Sequence, residues 1–202
     1  MYILHYVHTK MLISEDHIGE NLQVLFYFLS FAAALFIGIR FVKARNNLFG
    51  SLYLVLAFTF FVVAMEEIRW GQRIFDVATP SYFEENNFQQ ELNIHNLGET
   101  YNHLTLAYTV VGFVGAFAWL VLPAGIKVNY SSWVNYFVPS WYLTSYFLPV
   151  FLIYLYFIIS EYLGGFFLPL EFGEQEPAEL LMSLGMLLFL IINMHRQSLQ
   201  LL

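Results

Sequence analysis

The chain has no cysteine among its 202 residues. Disulfides and thiolate metal sites are thereby excluded, and a bound metal would have to rest on His, Asp, Glu or carbonyl oxygens. Charge is scarce as well. Asp, Glu, Lys and Arg together make up 11% of the chain, where an ordinary soluble domain carries about 25%. Basic residues are the scarcest, 8 against 15 acidic for a net charge of −7, so nucleic acid is not an expected partner. Several chemistries lack their signatures too. There is no Gly-x-Ser-x-Gly elbow, no His-Glu-x-x-His, no phosphate loop and no dinucleotide fingerprint. Internal repeats, low-complexity tracts and a separate soluble domain are also missing.

What the chain has is apolar bulk, 59% hydrophobic and 20% aromatic. A water-exposed globule of this length could not bury so much of it, because most residues of a small domain still face solvent. The lipid bilayer is the expected surrounding. A span needs roughly 20 apolar residues. Uncharged stretches at Leu22–Ile39, Leu48–Met65 and Leu104–Leu122 meet that length or come close, and Val128–Ser160 exceeds it. A shorter one, Leu180–Met194, is extended by Ala178 and Glu179. Pro139 and Pro149 interrupt the long run, so its span is set near Phe137–Ile159, with Trp133 and Trp141 as interfacial anchors. The fold class expected is all-α, a single polytopic bundle of about five spans near 22–40, 47–66, 103–122, 137–159 and 178–194. Residues 67–102 form a loop or cap. Met1–Ser14 reads as an interfacial helix or a segment packed on the bundle. The first 20 residues lack a basic stretch ahead of a long apolar core, so no cleaved signal peptide is expected.

Charge orients the stack. Arg40, Lys43 and Arg45 fill the short loop after the first span, which the positive-inside rule makes cytoplasmic. Alternation then places the N-terminus outside and the C-terminus in the cytoplasm. Lys127 and Arg196 also fall inside, so 5 of the 8 basic residues do, while all 15 acidic residues fall outside. No charge has to sit at mid-membrane, so the marks of an ion pathway are weak. The sequon Asn129-Tyr130-Ser131 falls inside and should stay unmodified. Gly112, Gly115 and Ala116 read as a close-packing face.

The chemistry-bearing residues gather between Glu66 and His103. The second span ends in Glu66-Glu67-Ile68-Arg69-Trp70-Gly71-Gln72-Arg73. If the helix continues, Glu66, Arg69 or Trp70, and Arg73 share a face. The adjacent carboxylates Glu66 and Glu67 could then be a general base, or an ion-pair cluster that ends the helix with Trp70 as a belt residue. Farther on, Glu91, His95, Glu99 and His103 stand at successive i+4 steps. On one helix they would make a polar stripe, with Glu91, His95 and His103 as candidate ligands of a divalent metal. The competing reading is a solvated face, and Gly98 could equally end a short helix. Amides crowd the interval at Asn86, Asn87, Gln89, Gln90, Asn93 and Asn96. They must be solvated or joined in a satisfied network, which could hold a polar head group. Thr79-Pro80 marks a turn. Glu15, Asp16 and Glu20 lie on the same side, and Glu171–Glu179 reads as an acidic, solvated loop.

The run Glu66-Glu67-Ile68-Arg69-Trp70-Gly71-Gln72-Arg73, then Thr79-Pro80, Gln90-Glu91 and Asn93-Ile94-His95-Asn96, resembles a family of uncharacterised bacterial multi-pass membrane proteins. Members resemble it also in a Glu-Asp pair before a span, here Glu15-Asp16, and differ in carrying Ser where this chain has Arg69. The resemblance covers roughly residues 15–100. It implies a bacterial inner-membrane location and brings no activity.

The site expected is outward-facing. Glu66 and Glu67 are its catalytic candidates, and Glu91, His95 and His103 its metal candidates. Trp70, Gln72, Arg73, Gln90, Asn93, Asn96, Glu15 and Asp16 are its ligand-binding candidates. Two functions follow. One is an accessory or sensor subunit that binds a metal ion or a polar head group, with a protein partner or a second copy of the chain as companion. The other is a metal-dependent hydrolase or transferase acting on a lipid-linked substrate at the outer leaflet.

Overall fold

In hydrocarbon, each backbone N–H and C=O must find its partner within the protein, so uncharged runs of span length fold as helices. A computed structural model describes residues 18–87, 90–121, 133–163 and 175–200. The fold is all-helical, without strands among the described residues. The long helices are α1 (Ile18–Lys43), α2 (Asn47–Glu67), α5 (Gly98–Phe117), α6 (Thr144–Tyr162) and α7 (Glu176–Gln200). Two short ones, α3 (Gln72–Phe75) and α4 (Ser81–Asn86), lie between α2 and α5. Among the described residues, 5 helices are long and apolar enough to cross a membrane. Their outward sides carry Leu25, Leu29, Val55, Phe58, Val110 and Leu152 exposed, as a lipid-facing surface requires. The chain is a multi-pass membrane protein.

Several spans differ at their ends from the apolar runs that announced them, the helices of the first and third spans beginning earlier, at Ile18 and Gly98. The fourth begins later, because Pro139 and the residues to Ser140 stay outside any helix and a tight turn at Trp141–Leu143 leads into α6. Pro149 lies inside α6, where it removes one backbone hydrogen bond without ending the helix. Trp141 is well exposed at this end, in keeping with an interfacial anchor. The last span runs farther than residues 178–194, since α7 starts at Glu176 and continues to Gln200. Met1–Ser14, Glu15, Asp16, the sequon and Lys127 lie outside the described residues.

Packing runs in a row, α2 on α1, α1 on α7, α7 on α6 and α6 on α5. One core joins α1 to α2 around Tyr27, Ala34, Ile37, Tyr53 and Phe60. A second joins α5, α6 and α7 around Ala116, Phe147, Val150 and Met182. Small residues let the backbones approach, as lipid-embedded interfaces favour. A Cβ at Gly112 would come within 2.6 Å of the Phe151 backbone nitrogen, and one at Gly115 within 2.3 Å of the Phe147 ring. The close-packing face of the third span therefore meets α6. Helices α2 and α5 stand at opposite ends of the row, and residues 68–97 connect them across one end of the bundle.

Candidate functional site

Helix α2 stops at Glu67, and the chain then turns sharply. Arg69 and Trp70 adopt left-handed φ of 53° and 52°, followed by Gly71 at 84°. Such angles suit glycine and cost about 1 kcal/mol for other residues, so their neighbours must hold them. Trp70 is held by its indole nitrogen, which donates to Glu66 Oε1 at 2.5 Å. Arg69 is held by Glu91, with Nε 2.6 Å from Oε2. The helical face expected of Glu66, Arg69 or Trp70, and Arg73 is thus not formed, because the helix ends at Glu67, although Trp70 still reaches Glu66 from the left-handed turn. The side chain of Arg73 lies outside the described residues.

The stripe from Glu91 to His103 is also not a single helix. Residues 90–97 are irregular and α5 begins at Gly98. Tertiary partners outweigh the i+4 pattern here. Glu66 Oε2 accepts the backbone N–H groups of Ile94 at 2.6 Å and His95 at 3.2 Å. Gln72 clamps the same segment from the other side, donating to Thr79 Oγ1 at 2.6 Å and accepting from the Leu92 N–H at 2.8 Å. Of the amides, Asn87 and Asn93 form a hydrogen-bonded pair, with Asn87 Nδ2 donating to the Asn93 carbonyl at 2.8 Å and to its Oδ1 at 2.7 Å. Both residues are buried.

The three metal candidates are separated. Glu91 is paired with Arg69, His95 Nδ1 lies 3.4 Å from Glu66 Oε2, and His103 is exposed on α5. No group of three or more His, Asp or Glu side chains that could hold a metal forms among the described residues. The candidate ligand set does not fit a metal ion.

A pocket opens instead beneath the 90–97 segment, enclosing about 800 Å³ including the solvent at its mouth. Glu66, Glu67, Glu91, Asn93, His95 and Asn96 line it, as the sequence led one to expect of a common site. Trp70, Gln72 and Gln90 do not, serving the walls behind it or lying exposed. Most of the remaining lining comes from span residues that sequence reasoning did not assign to the site. Gln23 on α1 donates through Nε2 to Glu67 Oε1 at 3.0 Å and to Glu179 Oε2 at 3.5 Å. The Tyr154 hydroxyl of α6 donates to Glu179 Oε1. Tyr108 of α5 stacks on Tyr154 with ring centroids 4.6 Å apart and planes 11° apart. Glu179 stands in the first turn of α7 at the end of its span, as the extension of the last apolar run implied, but it faces this pocket and not the solvated acidic loop read over residues 171–179. A signal existed for Gln23, an amide in an otherwise apolar run, which lipid would penalise unless it had a partner.

His95 is the imidazole of the segment that closes the pocket. Its burial favours the neutral ring, but the hydrogen bond to Glu66 and the charges of Glu67, Glu66 and Glu179 outweigh that and raise its pKa above the usual histidine value. The pocket therefore combines an acidic interior, an aromatic floor and an imidazole-bearing rim. That chemistry suits holding a polar group at the end of a bilayer span. No protein family, curated protein or solved structure matches the chain.

Proposed function

We propose that the chain is an integral membrane accessory or sensor subunit whose outward-facing pocket holds a polar head group. The observation that carries this reading is the convergence on one cavity of polar side chains from all five spans and from the 90–97 segment. Gln23 is buried, and Glu67 and Glu179 stand half-buried at the ends of their spans, where polar groups cost free energy unless they are partnered. Leu104 and the tyrosine floor give the cavity an apolar wall beside its polar one, as a molecule with a head group and chains requires. The head group is preferred over a metal because Glu91 and His95 are each engaged elsewhere. The outward orientation is supported by Arg40, Lys43 and Arg45, since the positive-inside rule favours the cytoplasm for the opposite end of the bundle. The bacterial inner membrane is the location that the resemblance around Glu66–Arg73 supports.

Native mass spectrometry of purified protein tests this. Wild type should retain one lipid per chain through mild delipidation, and Gln23→Leu, which removes the shared amide, should lose it. An equal lipid count in both, or none in either, would contradict the proposal.

A further inference from the structure

Polarity is reversed along the segment that follows α2. Its polar side chains turn inward, where Gln72 donates to Thr79 and accepts from the Leu92 N–H, and Asn87 is buried against Asn93. Its apolar side chains turn outward. Ile74 is 67% exposed and Phe75 75%, and Val77, Ala78 and Tyr82 after them are exposed as well. On a cap surrounded by water this surface would be the wrong way out, since exposed apolar surface is costly and marks a place of contact. Within α2 the lipid-facing Val55 and Phe58 are exposed to the same degree, 63% and 66%.

We infer that the outer face of residues 74–82 docks on the bilayer at the level of the lipid head groups, as a surface separate from the pocket. It continues the bilayer contact of the spans. The second span ends at Glu67, and Trp70 is exposed just beyond it. The tight turn at Arg69–Gly71 and the single helical turn Gln72–Phe75 follow. Such turns advance the chain only about 1.5–2 Å per residue, so Phe75 stays near the end of α2. A protein partner would need the surface to stand clear of the lipid, which this short path disfavours. Depth is limited in the other direction by backbone and charge. Residues 77–80 belong to no helix, and irregular backbone facing lipid is not tolerated in hydrocarbon. Asp76, Glu84 and Glu85 are exposed and need water. Apolar side chains flanked by these charges and by the amphipathic rings of Trp70 and Tyr82 fit the head-group layer. Gln72 links the docked surface to the pocket, because from the turn that carries Phe75 it holds Leu92 in the segment that closes the cavity.

The absence of native cysteine allows single nitroxide labels to measure depth directly. Phe75→Cys and Val77→Cys would be labelled in the full chain, reconstituted in palmitoyloleoylphosphatidylcholine vesicles, with Val55→Cys as the mid-span reference and Glu85→Cys as the aqueous one. None of the four side chains is buried, so the labels displace no core packing. The ratio of relaxation by oxygen to relaxation by a water-soluble nickel chelate should be several-fold higher at positions 75 and 77 than at 85. It should stay below the ratio at 55, as head-group depth requires. A ratio at 75 and 77 equal to that at 85 would place the surface in water and overturn the inference. Poor access of both reagents at 75 and 77 would show a second copy of the chain covering the surface, and would overturn lipid as its partner. Should one labelled variant fail to fold, the other decides.

Discussion

Glu66 organises more of this molecule than any other single residue. Its two oxygens accept from Trp70, Ile94 and His95, tying the end of α2 to the segment that roofs the pocket. Its side chain is only 12% exposed, so these charge-assisted bonds lose little to solvent. Hydrogen bonds to charged groups contribute about 1.5–3 kcal/mol each and do not add fully. Glu66→Ala should accordingly cost about 3 kcal/mol. Hydrogen exchange should show the Ile94 and His95 amides losing protection first, before those of α5. His95 supplies a pH dependence of definite sign. Its pKa is raised in the folded state, so its contribution is fully present below the usual histidine value of about 6.5 and is lost as pH rises through the folded value. The imidazole is 35% exposed, and screening keeps the effect small. Exchange of the 92–97 amides should therefore quicken on passing to alkaline pH in wild type and show no such step in His95→Gln.

At the scale of elements, the helices were legible in the sequence and the turns between them were not. Apolar runs translate into spans because hydrocarbon leaves no alternative. The i+4 spacing of Glu91, His95 and His103 suggested one continuous helix, yet only His103 stands on one, because spacing records what a helix would align and not whether one forms. Arg69 and Glu66 pull residues 90–97 out of helical phase, and both partners lie more than twenty residues away. The Gly112–Gly115 face was legible for the opposite reason, since lipid offers small residues on one face little use except close approach. Gly112→Ala should destabilise by about 1–3 kcal/mol, because its Cβ meets backbone that cannot swing aside. A thermal unfolding series checks this, with Gly38→Ala as the milder comparison, where the nearest atoms belong to the Leu54 side chain.

The bundle as a whole places two polar clusters at opposite ends. Around the pocket stand Gln23, Glu67, Glu179 and Tyr154. At the other end Asn193 donates to the Tyr53 hydroxyl at 2.9 Å, and Arg196 donates to Asn193 at 3.0 Å and Ser140 at 3.2 Å. The sequence identified roughly half of the pocket, the half carried by the contiguous stretch from Glu66 to Asn96. Gln23, Tyr108, Tyr154 and Glu179 escaped because their meeting depends on the packing order α2, α1, α7, α6, α5, which no local pattern encodes. Orientation can be tested across the whole molecule, and the lack of native cysteine makes the test clean. A cysteine replacing Glu85 should react with a membrane-impermeant thiol reagent in intact cells, and one replacing Arg45 should react only after lysis. The reverse pattern would invert the protein.

The most direct test of the central claim, that a head group sits in this pocket, is photocrosslinking in membranes followed by peptide mapping. A lipid with a photoreactive group on its acyl chain close to an unmodified head group should mark peptides around Gln23, Tyr108 and Glu179, and excess unlabelled lipid of the same head group should compete the labelling away. Labelling confined to the exposed faces of α2 and α5, unchanged by competitor, would show that lipid merely surrounds the bundle and would contradict the account.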